Sequence, residues 1–118
     1  MRRAVSCVLI GLALATLACS SSNPSTPSNG SVNVSIVPNS QTLTTNAYNP
    51  NPVTISHGGT ITWMNNDSIS HTSTSDTGLW DSGIMSAGAS FSHTFQNAGT
   101  FTYRCTIHPG MVGTVNVQ

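Results

Sequence analysis

From Val32 onward, apolar residues recur at every second position in short runs. Polar residues, chiefly Ser, Thr and Asn, stand between them, and this period of two is that of β-strands with one buried face. The runs are Val32, Val34 and Ile36; Val53 and Ile55; Ile61 and Trp63; Phe91 and Phe95; Phe101, Tyr103 and Cys105; and Val115 and Val117. The pattern predicts about six to eight short strands.

Turn-forming residues separate these runs, for example at positions 49–52, 58–59 and 109–110. No stretch after Gly30 has apolar residues at helical spacing. Because no helix is predicted that would connect parallel strands, the sequence favours an all-β fold, a two-sheet Greek-key β-sandwich with antiparallel strands.

The first residues follow a different pattern. Arg2 and Arg3 precede an apolar stretch over positions 4–17, an order that predicts a secretory signal peptide over residues 1–18. Its end, Leu17-Ala18-Cys19 followed by serines, resembles a bacterial lipoprotein signal, in which the cysteine becomes the lipidated first residue. The alternative is an ordinary cleaved signal beside an incidental cysteine.

The expected organisation has three parts. Residues 1–18 are the signal peptide, residues 19–30 are the lipidated Cys19 and a flexible Ser/Pro/Asn tether, and residues 31–118 form one folded domain. The protein is therefore expected to be exported and lipid-anchored in the periplasm or at the cell surface. Because Ser20 rather than Asp follows the cysteine, the outer membrane is favoured if the source is Gram-negative.

Composition and charge narrow the functional classes. The chain has 118 residues, and only 5% of them are charged, against about 25% in an ordinary soluble domain. After the signal peptide, Arg104 is the only Lys or Arg residue, and the acidic residues are Asp67, Asp76 and Asp81. Binding to nucleic acid requires clustered Lys and Arg, so it is not expected. The length also excludes a large multidomain enzyme.

The cysteines single out one thiol. Cys7 would leave with the signal peptide and Cys19 would be acylated, so Cys105 is the one thiol left in the domain and has no partner for an internal disulfide. Exported proteins meet oxidising conditions. Cys105 is therefore either buried and inert or bound, as a thiolate, to something that needs it.

The segment around Cys105 contains two further donors at equal spacing, His108 and Met111. A strand cannot present residues three apart on one face, and Pro109 and Gly110 exclude a helix. The three side chains are thus expected on a loop that curls around one point. A thiolate, an imidazole and a thioether form a soft donor set that suits copper, and methionine argues against zinc.

A trigonal copper site needs a second imidazole, and His71 is the best candidate because it follows a predicted strand that ends in a polar turn. His57 precedes two glycines and is interpreted as a turn residue, whereas His93 is in phase with neighbouring phenylalanines and is interpreted as a partly buried, hydrogen-bonded side chain. Met64 and Met85 are not expected to be ligands. Taken singly, Cys105 and Met111 also have the simpler interpretation of core packing.

With these residues in view, the region from about Val32 to Gln118 resembles the cupredoxins, the plastocyanin, pseudoazurin and amicyanin group of type 1 blue-copper proteins. The matching segments are GGTITW at 58–63, NND at 65–67 running on to His71, FSHTF at 91–95, AGTF at 98–101 and the Cys105 loop. The two-residue gaps of that loop are most similar to those of amicyanin. One departure is Thr72, where plastocyanin has an asparagine that braces the cysteine loop.

The resemblance implies one copper ion held by His71, Cys105 and His108 as strong ligands, with Met111 as a weak axial ligand. It implies a monomeric electron carrier rather than an enzyme, passing single electrons through His108 to transient redox proteins. The alternatives are a protein that buffers or delivers copper and an adhesion-like sandwich without metal. A small apolar docking patch is expected, and four residues are candidates for it, with simple packing of their loop as the alternative interpretation: Leu79, Trp80, Ile84 and Met85.

Overall fold

The computed structural model describes residues 30–118 and contains eight β-strands. They are β1 (Ser31–Ile36), β2 (Tyr48–Asn49), β3 (Val53–Ile55), β4 (Thr60–Asn65), β5 (Thr74–Ser75), β6 (Ser90–Thr94), β7 (Gly99–Arg104) and β8 (Val112–Val117). Two short 3-10 helices, Ser40–Thr42 and Thr44–Asn46, lie between β1 and β2. Within residues 30–118 no helix has the length and hydrophobicity of a membrane span. The predicted signal peptide, Cys19 and almost all of the tether lie outside the described residues.

The strands form two four-stranded sheets, ordered β2-β1-β4-β6 and β3-β8-β7-β5. The all-β, two-sheet fold is thereby confirmed. The expectation of wholly antiparallel sheets is wrong, because β1 runs parallel to β4 and β3 runs parallel to β8. Two neighbouring parallel strands need a long connection between them, but this connection does not have to be a helix. Residues 37–59, with their 3-10 helices, β2 and β3, supply one between β1 and β4.

The core lies between the sheets and is centred on Trp63. This residue is fully buried on β4, stacks on Trp80 with ring centroids 5.5 Å apart, and meets the edge of Tyr103 at 5.4 Å. Large aromatic rings supply much of the apolar area that a domain of this size must bury. The sheets are thus joined by aromatic packing that extends to Trp80, outside the strands.

Close packing of Gly113 against Tyr103 fixes the hairpin that carries the cysteine loop. The two residues face each other in the register of β7 and β8, and the Tyr103 ring occupies the space that a Cβ atom at position 113 would need. Only glycine permits this approach of ring to backbone. The ends of β7 and β8, between which residues 105–111 loop out, are therefore held in a defined place.

Candidate metal centre

Two loops meet at one end of the sandwich. The first follows β4 and leads through His71 to β5, and the second joins β7 to β8. Pairing of Thr74 with Arg104 brings the loops side by side, and the Thr72 amide donates to the Cys105 sulfur across a gap of 3.3 Å. Residues more than thirty positions apart along the chain therefore converge in one place.

Three donor atoms face one another there. His71 Nδ1, Cys105 Sγ and His108 Nδ1 lie within 4.8 Å of one another. The two nitrogens are 3.2 Å apart, and each is 3.9 Å from the sulfur. In comparable zinc sites metal–nitrogen bonds are about 2.0 Å and metal–sulfur bonds about 2.3 Å. Since each separation is smaller than the sum of the two bond lengths concerned, one ion can contact all three donors.

Met111 closes the loop. The Cys105 amide donates to the Met111 carbonyl at 3.1 Å, and the Met111 amide donates to the His108 carbonyl at 2.9 Å. The Met111 side chain is fully buried. The expected curled loop is therefore present, with Met111 at its end, and the axial role of the thioether stays a prediction.

His71 is fully buried and anchored through its outer nitrogen. Nε2 lies 2.8 Å from Asp67 Oδ2 and 3.1 Å from the Ser40 hydroxyl. The same Oδ2 accepts hydrogen bonds from the Ser40 amide and hydroxyl, both at 3.3 Å, and Oδ1 accepts one from the Ser68 amide at 2.8 Å. An ionised carboxylate can only accept, so the ring proton is on Nε2. Nδ1 is left with its lone pair directed at the other donors.

The charge of Asp67 follows from its contacts. Burial of the carboxyl opposes ionisation, but hydrogen bonds from His71 and from the backbone of Asn39, Ser68 and Ser40 outweigh it and hold the pKa of Asp67 well below its usual range. The Asp67 side chain is therefore an anion at the back of the site.

The sulfur of Cys105 is buried and accepts two amide hydrogen bonds, from Thr72 at 3.3 Å and from His108 at 3.4 Å. Amide donors of this kind stabilise negative charge on sulfur. Burial, and next Coulombic interactions with Cys105 and Tyr103, raise the pKa of Tyr48. Its neutral hydroxyl donates to the Thr72 carbonyl at 2.7 Å.

Thr72, the departure from plastocyanin noted in the sequence, connects the two loops. Its hydroxyl oxygen accepts the Thr106 amide at 2.9 Å and lies 2.9 Å from the Thr74 hydroxyl. The cysteine loop is thus tied to the His71 segment at the residue directly after Cys105, next to the pairing of Thr74 with Arg104.

The remaining predicted residues lie elsewhere or are buried. His57 is exposed, with Nδ1 3.3 Å from the Gln118 carbonyl, and His93 is half-buried and stacks on Trp80 at 5.4 Å. The prediction of the docking patch was partly wrong, because Leu79 and Ile84 are exposed but Trp80 and Met85 are not. Trp80 is buried and stacks on the Trp63 ring. Met85 is buried as part of the core cluster, and its backbone forms a β-bridge with His71.

Sequence reasoning missed Asp67 and Ser40. A carboxylate four residues before a candidate metal-binding histidine was a usable signal for Asp67, since such histidines commonly donate their second N–H to a carboxylate. Nothing local indicated Ser40, which lies 31 residues before His71 along the chain. It reaches the site through a 3-10 helix that begins after Asn39, a residue in the left-handed conformation at φ 60°.

Fold, donor set and sequence define a copper-binding protein. The chain belongs to the plastocyanin/azurin family of copper-binding proteins, whose sequence profile matches residues 33–118. The family and the His–Cys–His cluster together indicate one copper ion as the cofactor.

Individual relatives agree with this assignment. The chain is 36% identical to plastocyanin from Scenedesmus fuscus over 84 residues, which cover 60% of this chain and 86% of that protein. It is 35% identical to amicyanin from Paracoccus denitrificans over 66 residues, covering 52% of this chain and 50% of that protein. The structure of a purple cupredoxin from Nitrosopumilus maritimus superposes with a TM-score of 0.68 at 32% identity, covering 74% of this chain and 99% of that one.

Proposed function

We propose that this protein is a small exported type 1 copper protein that carries single electrons between redox partners by cycling between Cu(II) and Cu(I). His71, Cys105 and His108 are the strong ligands and Met111 the weak axial one. The observation that carries the proposal is the convergence of His71 Nδ1, Cys105 Sγ and His108 Nδ1 within 4.8 Å in a chain of this family.

The described residues suit a one-electron site because they hold the donors in place. The two sheets fix the loop ends, Asp67 fixes the His71 ring, and amides fix the Cys105 sulfur. Bound copper supplies the one-electron chemistry. A ligand set that is already ordered needs little rearrangement when the charge changes, which favours fast transfer. The proposed ligands are all protein side chains, so the proposal includes no substrate position and no enzymatic reaction.

The route for electrons leads through His108. Its side chain is half-buried, whereas His71 and Cys105 are fully buried. Ile107, 43% exposed, and Ile69, 38% exposed, lie within two residues of the proposed histidine ligands. Ile84, 73% exposed, precedes Met85, whose backbone pairs with His71. An apolar surface around a ligand suits brief docking, because redox encounters bury little area. The partners are therefore transient redox proteins, met by a monomer.

The proposal places the protein outside the cytoplasm. Residues 1–18 act as the signal peptide, and lipidation of Cys19 gives the only link to a membrane, so the domain sits in the periplasm or at the cell surface. A chain without lysine has no basic cluster for nucleic acid.

A second candidate, copper buffering or delivery, is favoured by one observation. His108 is half-buried and lies on a loop that contains Pro109 and Gly110, so one ligand is within reach of an acceptor. A delivery protein would release copper quickly to a chelator and exchange electrons slowly, and a carrier would do the reverse.

The test uses the full chain without metal. Titration with Cu(II) is expected to saturate at one ion per chain and to produce the intense visible band of a Cu(II)–thiolate bond. Stoichiometric ascorbate should bleach the band with uptake of one electron. Absence of the band would contradict the type 1 site, and rapid loss of copper to a chelator, with slow electron self-exchange by NMR, would favour delivery.

A further inference from the structure

We propose that Asp67 is a positioning residue that, through His71, makes the centre favour Cu(II), and that Ser40 moderates this effect. The inference rests on the proposed role of His71 as a ligand and deepens it. The hydrogen bonds of Asp67 within residues 30–118 include one to the His71 ring but none to Cys105 or His108. Its influence on the centre therefore passes through His71.

The geometry is that of a built site. Asp67 is 6% exposed, and Ser40 and His71 are fully buried. A carboxylate removed from water is costly unless its oxygens are paired. Here Asp67 Oδ2 accepts hydrogen bonds from the His71 ring and from the amide and hydroxyl of Ser40. Three separate donors therefore stabilise one charged oxygen directly behind a proposed ligand.

Charge counting gives the direction of the effect. Two neutral imidazoles and one thiolate give a Cu(II) centre a net charge of about +1 and a Cu(I) centre about 0. The Asp67 anion attracts the first and leaves the second unaffected. In the described part of the chain the only Lys or Arg side chain is Arg104, which is 55% exposed and lies 3.7 Å from Asp76. Among residues 30–118, no Lys or Arg side chain therefore neutralises the charge of Asp67.

Hydrogen bonding acts in the same direction. A carboxylate that accepts the Nε2 proton makes Nδ1 more electron-rich and a better ligand for the higher oxidation state. The Ser40 hydroxyl competes for the same carboxylate oxygen and so weakens this effect. Removing the carboxylate charge and removing the Ser40 hydroxyl should consequently shift the reduction potential in opposite directions.

The test compares four variants of the full chain: Asp67→Asn, Asp67→Glu, Ser40→Ala and Asp81→Asn. Cu(II) and Cu(I) affinities are measured by chelator competition, and the reduction potential is measured by voltammetry. In Asp67→Asn the Cu(II) affinity is expected to fall about 10- to 100-fold, the Cu(I) affinity less, and the potential to rise. Asp67→Glu keeps the charge and should stay closer to wild type.

Ser40→Ala should lower the potential by a smaller amount, and Asp81→Asn should leave it unchanged. Asp81 is a suitable control because its carboxylate instead binds the Thr74 hydroxyl and the Gly83 amide. If Asp67 were only a structural support, Asp67→Asn and Ser40→Ala would shift the potential in the same direction or not at all. Either result would overturn the inference.

A readout without copper completes the test. Nitrogen-15 NMR of the apo protein should show His71 with its proton on Nε2 in the wild type and in Ser40→Ala. Should Asp67→Asn fail to fold, the sign of the Ser40→Ala shift decides the matter. Wild-type protein that gives no thiolate band would refute the proposed function itself, whereas a blue wild type whose potential is insensitive to Asp67→Asn would refute only this inference.

Discussion

The two histidines that face Cys105 are held in opposite ways. His71 is fully buried, its backbone pairs with Met85 in both directions, and its outer nitrogen rests on Asp67. His108 is half-buried, and among residues 30–118 its backbone hydrogen bonds stay within its own loop, to the Cys105 sulfur and from the Met111 amide. One side of the centre is thus fixed by distant parts of the chain, and the other by its immediate neighbours.

This difference suggests separate roles for the two sides of the site. The inner side, with His71, has its ring orientation set by hydrogen bonds that exist without metal, and in the proposed function this side sets how strongly each copper state is held. In the same proposal the outer side, with His108, makes the contact with a partner. Cys105 is shared, since amides from both sides donate to its sulfur.

The largest effect is expected from Cys105→Ser, which removes the donor common to both sides. The serine hydroxyl stays protonated at neutral pH and supplies neither the charge nor the covalency of a thiolate. The visible thiolate band should vanish and copper affinity should fall far more than in Met111→Leu, as measured by titration and chelator competition. A band retained in Cys105→Ser would contradict the assignment.

Next in size, the two histidines should differ in chemical rescue. His71→Gly and His108→Gly each lose a strong ligand and should lose the normal spectrum. Added imidazole should restore the spectrum of His108→Gly, whose side chain is half-buried, but not that of His71→Gly, whose cavity is fully buried and backed by Asp67 and Ser40. Absorbance during imidazole titration is the measurement. Equal rescue of the two variants would show that burial does not separate the sides.

The same contrast explains what the sequence could predict. The loop of Cys105, His108 and Met111 was predictable because its spacing, with Pro109 and Gly110, is a local signal. Six of the eight strands were predictable from alternation, all but the two-residue strands β2 and β5, and His71 was predictable from the turn after β4. The parallel pairing of β1 with β4 and of β3 with β8 was not, because alternation identifies buried faces but not neighbours.

The missed residues share a physical reason. The Ser40 contact with His71 depends on how residues 37–46 fold back over the end of the sheet, which no local pattern encodes. Trp80 and Met85 were candidates for an exposed patch because they lie in a predicted loop, and loop residues usually lie at the surface. Both instead belong to the core cluster, in contact with elements distant in sequence: Trp80 stacks on Trp63, and the backbone of Met85 pairs with His71.

A smaller effect is expected from the tie between the two sides. Thr72→Val removes the hydroxyl that accepts the Thr106 amide. Because Thr106 is exposed, water can partly replace that hydroxyl, and the expected cost is about 0.5 to 1.5 kcal/mol in the free energy of unfolding. Denaturant unfolding of the apo protein measures it. Thr72→Ser keeps the hydroxyl and should lose clearly less, so equal losses in the two variants would show that the tie contributes little.

The smallest effect concerns a histidine outside both sides of the centre, which serves as their reference. Burial lowers the pKa of His93, whose ring stacks on Trp80 at 5.4 Å and meets Phe95 edge-on at 4.8 Å. In the unfolded chain a histidine titrates near pH 6.5, so below about that pH the unfolded state binds the proton more readily than the folded one. The contribution of His93 to stability is therefore constant above neutral pH and decreases as pH falls below about 6.5.

His93→Phe isolates this contribution because it keeps an aromatic ring against Trp80 and removes the titration, while His57, His71, His108 and the carboxylates remain in both proteins. The difference in unfolding free energy between wild type and His93→Phe, measured on apo protein from mildly alkaline to mildly acidic pH, should be flat at first and then shift in favour of the variant. A difference that stays constant throughout would mean that the pocket formed with Leu79 and Phe101 admits water to the ring in the folded state.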